Sequence, residues 1–168
     1  MDITGHYRIQ APREVVWAAL NDRDVLQRCI PGCKDLEQRS PTDLAAKVQL
    51  KIGPISATFN GTVRLEDLSP PSGYSIVGQG QGGAAGFAKG RARVDLTEID
   101  GETDLVYTAN AEVGGKLATL GGRLIQATSK KLADEFFGNF VRELNGDDAA
   151  DTEPEKKKGR WARWLGLA

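Results

Sequence analysis

Between residues 34 and 113 the apolar side chains of this sequence recur at every second position, and from 116 to 144 they recur at every third or fourth. No single element satisfies both periods, so the chain reads as a run of strands followed by a helix. Ala46, Val48, Leu50 and Ile52 alternate with Lys47, Gln49 and Lys51, and Gly53-Pro54 turns the chain. Ile55, Ala57, Phe59, Gly61, Val63 and Leu65 continue the pattern up to the turn at Pro70-Pro71-Ser72-Gly73. Tyr74, Ile76, Gly78 and Gly80 follow, then Gly86 to Leu96, a turn at Asp100-Gly101, and Leu105 to Val113. Short strands joined by such turns make an antiparallel meander with one wet face. After Gly114-Gly115, the residues Leu117, Leu120, Leu124, Ile125, Leu132, Phe136, Phe137, Phe140, Val141 and Leu144 form one stripe. They predict a single helix of about 29 residues, roughly 43 Å long. One long helix laid across one curved sheet buries both apolar faces, an α+β arrangement.

Upstream, Ile3, Gly5, Tyr7 and Ile9 alternate with polar residues as in a half-buried strand. Pro12 suits the first turn of a helix whose apolar face is Val15, Val16, Ala19 and Leu20. A second short helix, over residues 23–28, stops before Pro31-Gly32.

Nearly half of the inward sheet positions are small: Ala46, Ala57, Gly61, Gly78, Gly80, Gly86, Ala88, Gly90, Ala92, Ala109 and Ala111. A core at normal density alternates large and small residues, so this excess has two readings. Either the helix backbone approaches the sheet closely, with Gly121-Gly122 at the contact, or the face is under-filled and encloses an apolar cavity. The cavity reading nominates Phe59, Gly61, Tyr74, Gly78, Ala88, Ala92, Tyr107, Ala109, Leu117, Leu120 and Leu124 as its lining. The string Gly78-Gln79-Gly80-Gln81-Gly82-Gly83 matches a dinucleotide-binding pattern, but a strand follows it where that pattern needs a helix. It reads instead as a mobile hairpin, with Phe87 beside it as a lid or as an exposed aromatic.

At 168 residues the chain suits one domain, and its 22 basic against 23 acidic residues exclude a general nucleic-acid binder. The one histidine, His6, lies on the outward side of the first strand and reads as a surface histidine, with nothing to suggest a catalytic relay that uses it. Cys29 and Cys33 lack a second Cys or His pair and read as reduced structural thiols, so no metal site is expected. No carboxylate pair falls on the inner face, so no catalytic residues are expected. A cavity enzyme using Tyr74 or Tyr107 is the alternative. There is no secretory signal and no run of 18 apolar residues, which predicts a cytoplasmic protein.

Composition changes after residue 145, dividing the chain into a domain over 1–145 and a tail over 146–168. Asp147, Asp148, Asp151, Glu153 and Glu155 make an acidic linker, followed by Lys156, Lys157, Lys158, Arg160 and Arg163. On a helix Trp161, Trp164, Leu165 and Ala168 share one face opposite the arginines, the pattern of an interfacial segment. The expected membrane-binding residues are therefore Lys156, Lys157, Lys158, Arg160, Trp161, Arg163, Trp164 and Leu165, with anionic lipid as partner. A docking peptide for a partner protein and an unstructured tail are the alternatives.

Five stretches together resemble CoxG, the G-subunit family of carbon monoxide dehydrogenase. They are Cys29-Ile30-Pro31-Gly32-Cys33, Gly53-Pro54-Ile55, Gly82 to Gly90, Gly114-Gly115-Lys116-Leu117-Ala118, and Phe136-Phe137 with Phe140. The resemblance covers about residues 1–145. It implies a START-like, helix-grip fold, in which a curved antiparallel sheet grips a long C-terminal helix over an apolar cavity. It also implies a non-catalytic accessory protein that recruits a molybdenum-containing hydroxylase of the carbon monoxide dehydrogenase type to the inner face of the cytoplasmic membrane. The cavity ligand it implies is a respiratory quinone, menaquinone or ubiquinone. A general carrier of lipids or other hydrophobes, and a cyclase-like enzyme, are the competing functions.

Overall fold

A computed structural model describes residues 2–145. In chain order the elements are β1 (Asp2–Ile9), α1 (Arg13–Leu20), α2 (Arg23–Cys29), β2 (Cys33–Gln38), β3 (Asp43–Ile52), β4 (Ile55–Ser69), β5 (Gly73–Gln81), β6 (Phe87–Ile99), β7 (Glu102–Gly114) and α3 (Gly122–Asn145). The strands form one antiparallel sheet in the order β1-β7-β6-β5-β4-β3-β2. Strands β2 to β7 are a meander of hairpins, and α1 and α2 carry the chain from one edge strand to the other.

The register puts the period-two pattern on one face. Leu44, Val63, Gly78, Gly90 and Ala111 pair in one row across five strands, and Ala46, Gly61, Gly80, Ala88 and Val113 form the next. These two rows hold most of the small residues. Polar side chains occupy the other face, where Lys89 pairs with Glu112 at 3.3 Å and Arg91 with Glu66 at 3.1 Å. Helix α1 buries Val15, Val16, Ala19 and Leu20, as its apolar face predicts. Asp22 caps α2 by accepting from the Asp24 and Val25 amides at 2.8 and 3.1 Å, so two otherwise orphaned donors are satisfied.

The single helix predicted over 116–144 is two elements. Gly115–Leu120 is a 3₁₀ segment, and α3 starts only at Gly122, which shortens it to roughly 36 Å. Between them Gly121 sits at φ +85°, a backbone region that side chains disfavour and that no helix can pass through. The apolar spacing of Leu117, Leu120 and Leu124 runs through this break without registering it.

The core has two unequal parts. The larger joins α1, α2, β1, β7 and the C-terminal half of α3 around Ile9, Val15, Val16, Leu105, Phe140 and Leu144. Tyr7 and Tyr107 both stack on Phe137, with ring centroids 4.7 and 5.3 Å away, and Trp17 meets Tyr74 edge-on at 5.4 Å. The smaller gathers Ile52, Phe59, Ala85, Leu117 and Ile125 at the opposite end of the sheet.

Candidate functional site

Between the small-residue rows and the first turns of α3 lies a cavity of about 300 Å³. The sheet supplies Ala46, Val48, Leu50, Ile52, Phe59, Gly61, Val63, Gly80, Ala88, Ala111 and Val113, with Thr62 and Gln79 at the margin. Leu117 closes it from the 3₁₀ segment, and α3 adds Ile125, Thr128, Ser129 and Leu132. The wall contains no Asp, Glu, Lys, Arg, His, Cys or Tyr. Such a surface holds an apolar body and offers two hydroxyls, those of Thr128 and Ser129, to orient it.

The small residues do not make room for the helix. A methyl group placed on Gly80 would meet Phe59 Cβ at 3.8 Å, Asn60 O at 3.9 Å and Gly61 Cα at 4.0 Å, and one on Gly78 would meet Thr62 O at 3.6 Å and Val63 Cγ2 at 3.7 Å, all ordinary contacts. On Gly61 and Gly90 it would run into the strand carbonyls of Gln79 at 2.7 Å and Asn110 at 2.8 Å. None of these nearest neighbours belongs to α3, and a side chain begun on Gly121 or Gly122 would meet nothing across from it within 4 Å. Close approach at Gly121-Gly122 is therefore not the reason for the small inner face. At Gly78 and Gly80 the missing side chains leave space, whereas Gly61 and Gly90 are held small by the neighbouring strand.

Of the residues nominated from sequence, Phe59, Gly61, Ala88 and Leu117 line this cavity. The others stand elsewhere. Tyr74 and Tyr107 belong to the larger core, with Ala109 packed against it. Gly78 and Ala92 lie on the inner face but do not line the cavity, Gly78 in the same row as the lining residues Val63 and Ala111, and Ala92 between Ile76 and Ala109. Leu120 packs against the smaller core from behind Leu117. Leu124 is 36% exposed, its Cδ2 2.9 Å from where a side chain on Gly53 would begin. Face was readable from alternation, but position along each strand depends on where α3 crosses. Missed were Ala46, Val48, Leu50, Ile52, Val63, Gly80, Ala111 and Val113 on the sheet and the α3 quartet Ile125, Thr128, Ser129 and Leu132. The quartet's spacing of 0, 3, 4 and 7 marks one helix face, and its two central hydroxyls were the available signal.

The tyrosines are poor candidates for acid–base work. Burial pushes the hydroxyls of both Tyr74 and Tyr107 above the usual phenol range, which keeps them protonated. The Tyr107 hydroxyl is buried with no hydrogen-bond partner among the described residues. Tyr7 donates to Asp134, which also receives Lys130 Nζ at 2.8 Å. His6 is exposed and bonds Asp104 at 2.9 Å on the outer face. Burial, aided by the Glu143 carboxylate and opposed by Arg28 and Arg142, raises the Cys29 thiol to about 11, and Cys33 is also raised, chiefly by burial. Both cysteines are unpaired. Among the described residues no cluster of His, Cys, Asp and Glu could hold a metal ion.

A larger groove, about 780 Å³, crosses the outer face over Thr62, Arg64, Val77, Gln79, Lys89 and Arg91. Its cations are already paired, Lys89 with Glu112 across the groove and Arg91 with Glu66 beside it, so the smaller inner cavity is the better ligand site. The glycine string at 78–83 ends β5 and leads through a short 3₁₀ turn into β6, a hairpin with no helix behind it. Phe87 is an exposed aromatic on the outer face, its ring lying over Gly114 and away from the cavity. The tail residues Lys156 to Leu165 lie outside the described residues.

The family model for CoxG, the carbon monoxide dehydrogenase G-subunit, matches residues 5–145. A conserved protein from Geobacillus kaustophilus is similar at 34% identity and a TM-score of 0.80, over 85% of this chain and 94% of that one. The Zhui aromatase/cyclase from Streptomyces sp. R1128 superposes at a TM-score of 0.60 with 13% identity, over 88% and 98%. Ara h 8.0201 does so at 0.59 with 12% identity, over 83% and 95%. The last two carry the helix-grip fold alone. No curated protein matches the chain significantly.

Proposed function

Because the chain belongs to CoxG, the carbon monoxide dehydrogenase G-subunit family, we propose that it is a non-catalytic accessory protein. In this reading it binds a hydrophobic ligand in the inner cavity and brings a molybdenum hydroxylase of the carbon monoxide dehydrogenase type to the cytoplasmic membrane. The observation that carries the reading is the cavity wall. It is apolar, sized for a ring-like group, and holds no titratable side chain for general acid–base chemistry.

A respiratory quinone, menaquinone or ubiquinone, fits that wall. The aliphatic side chains of Val48, Leu50, Ile52, Val113 and Leu117 and the ring of Phe59 would cover the quinone's faces. Thr128 or Ser129 would donate to a carbonyl oxygen. At about 300 Å³ the space accepts a headgroup and leaves a long isoprenoid chain outside. When bound, the quinone supplies the electron-accepting chemistry that links the hydroxylase to the respiratory chain. The protein's own part is to hold and orient the ring and to exclude water.

Among the described residues no helix is long and apolar enough to cross a membrane. Attachment is assigned to the tail, residues 146–168, acting separately from the domain over 1–145. Its basic and tryptophan residues suit reversible contact with the anionic inner face.

The test is native mass spectrometry of the full chain purified from its host membrane, with bound small molecules extracted and identified. Wild type should carry a stoichiometric quinone, and Gly80→Leu should carry none while melting at least as high. A folded Gly80→Leu protein that retains the quinone would exclude this cavity as the site. Deleting 156–168 should release the protein from anionic vesicles, and unchanged co-sedimentation would remove the anchor. If pull-down with a quinone-loaded wild type brings no molybdenum hydroxylase, the protein is a carrier without that partner.

A further inference from the structure

The cavity sits at one end of the sheet, and that end is built from three connections: the β3–β4 turn, the β5–β6 turn, and the 3₁₀ segment leading into α3. Segments 51–56, 82–89 and 114–127 contain no aspartate or glutamate, but they carry Lys51, Lys89, Lys116 and Arg123. Lys89 is taken by Glu112, whereas Lys51, Lys116 and Arg123 are exposed and form no ion pair among the described residues. Pro54, Ala84, Ala118 and Leu124 are exposed between them, with Leu120 half-buried behind.

Exposed apolar groups alone do not single out this end, since Leu68 and Ile99 are as exposed at the other one. Charge does. At the far end arginines and acids neutralise each other, as in Arg8–Glu102 at 3.3 Å, Arg91–Asp67 at 3.4 Å and Arg93–Asp95 at 3.2 Å. Apart from Lys89–Glu112, the cations of the cavity end have no acidic partner among the described residues and surround a cluster of loop-borne apolar groups, which complements an anionic lipid surface and disfavours an acidic-rimmed one. The cavity also lies directly behind it. Three of its walls, Ile52, Leu117 and Ile125, are close sequence neighbours of exposed Gly53-Pro54, Ala118 and Leu124. Leu124 reaches over Gly53 and so bridges α3 to the β3–β4 turn.

We propose that this end of the folded domain is itself a membrane-contact face. Leu124, Leu120 and Pro54 enter the headgroup region, Lys51, Lys116 and Arg123 pair with anionic lipid, and the cavity is thereby held next to the bilayer from which a hydrophobic ligand is drawn. The inference rests on the reading of a cavity protein that works at a membrane, but it assigns a contact to the domain that is independent of the tail.

The test uses the full chain in a Cys33→Ser background, labelled with an environment-sensitive fluorophore at Leu124→Cys and, as the matched control, at Leu68→Cys. Vesicles of phosphatidylcholine with phosphatidylglycerol should raise and blue-shift emission at position 124 and leave position 68 unchanged. In unlabelled protein, Lys116→Gln with Arg123→Gln should weaken vesicle partitioning about 30-fold at low salt, roughly fivefold for each charge. If the chain co-sediments with vesicles while the label at 124 stays silent, the tail alone makes contact and this proposal fails, with the anchor intact. If the chain does not co-sediment at all, both fail. A shift at 124 that follows protein concentration without lipid would make this a self-association face and would equally overturn the proposal.

Discussion

The two ends of the sheet are made from the same alternating pattern yet differ in how they are filled. At the α1–α2 end, Phe140, Leu144, Ile9 and Leu105 are essentially without solvent contact, and Tyr7, Tyr107 and Phe137 stack face to face. At the other end, a comparable inner face carries Ala46, Gly61, Gly80, Ala88 and Ala111 beneath a helix face of Ile125, Thr128, Ser129 and Leu132. One helix spans both. Its C-terminal half anchors the fold, and its N-terminal half roofs a space. The difference teaches that stability and ligand capacity can be divided along one helix, because burial at one end relieves the other of the need to pack.

Truncation should separate the ends most sharply. Phe140→Ala should cost about 3–5 kcal/mol, while Leu132→Ala, whose side chain borders open space, should cost about 1 kcal/mol or less. Equal losses in chemical denaturation would mean the two halves are packed alike. Enlargement should then change sign between them. Ala109→Leu pushes into the larger core and should destabilise by about 1–3 kcal/mol. Gly80→Leu fills space and relieves a strand of glycine, and should be neutral or stabilise by about 1 kcal/mol. A thermal melt in which Gly80→Leu behaves like Ala109→Leu would show the cavity to be closed to an added side chain.

The smallest effect concerns pH at the packed end. The Cys29 thiol ionises at about 11 in the folded protein, above its ordinary value. Between those values the folded state binds the proton that the unfolded state has lost, so stability present at neutral pH falls as pH rises toward about 11. Melts of wild type and Cys29→Ala from about pH 8 to about pH 10.5 should show a steeper decline in wild type. Parallel declines would mean that another group is responsible.

Most of the architecture was legible because strand and helix periods are local properties. The meander, its turns at Gly53-Pro54 and Asp100-Gly101, and the apolar face of α1 stand where alternation and turn chemistry put them. The helix break was hidden because Leu117, Leu120 and Leu124 keep helical spacing across Gly121, whose φ of +85° is what interrupts the chain. The cavity wall was legible only in part. Phe59, Gly61, Ala88 and Leu117 followed from face, while Tyr74, Tyr107 and Ala109 share that face and still belong to the solid core.

By itself the sequence determined the class of fold, the inward face of β1 and of β3 to β7, the excess of small residues on it and the membership of a family, since each depends on residues near one another in the chain or on their order. Only the tertiary structure decided where that excess becomes empty space. The aromatic stack at one end sets how α3 lies on the sheet, and the cavity is what remains where α3 meets rows of glycine and alanine. Such a volume is fixed by contacts between residues far apart in sequence, and no local period encodes it.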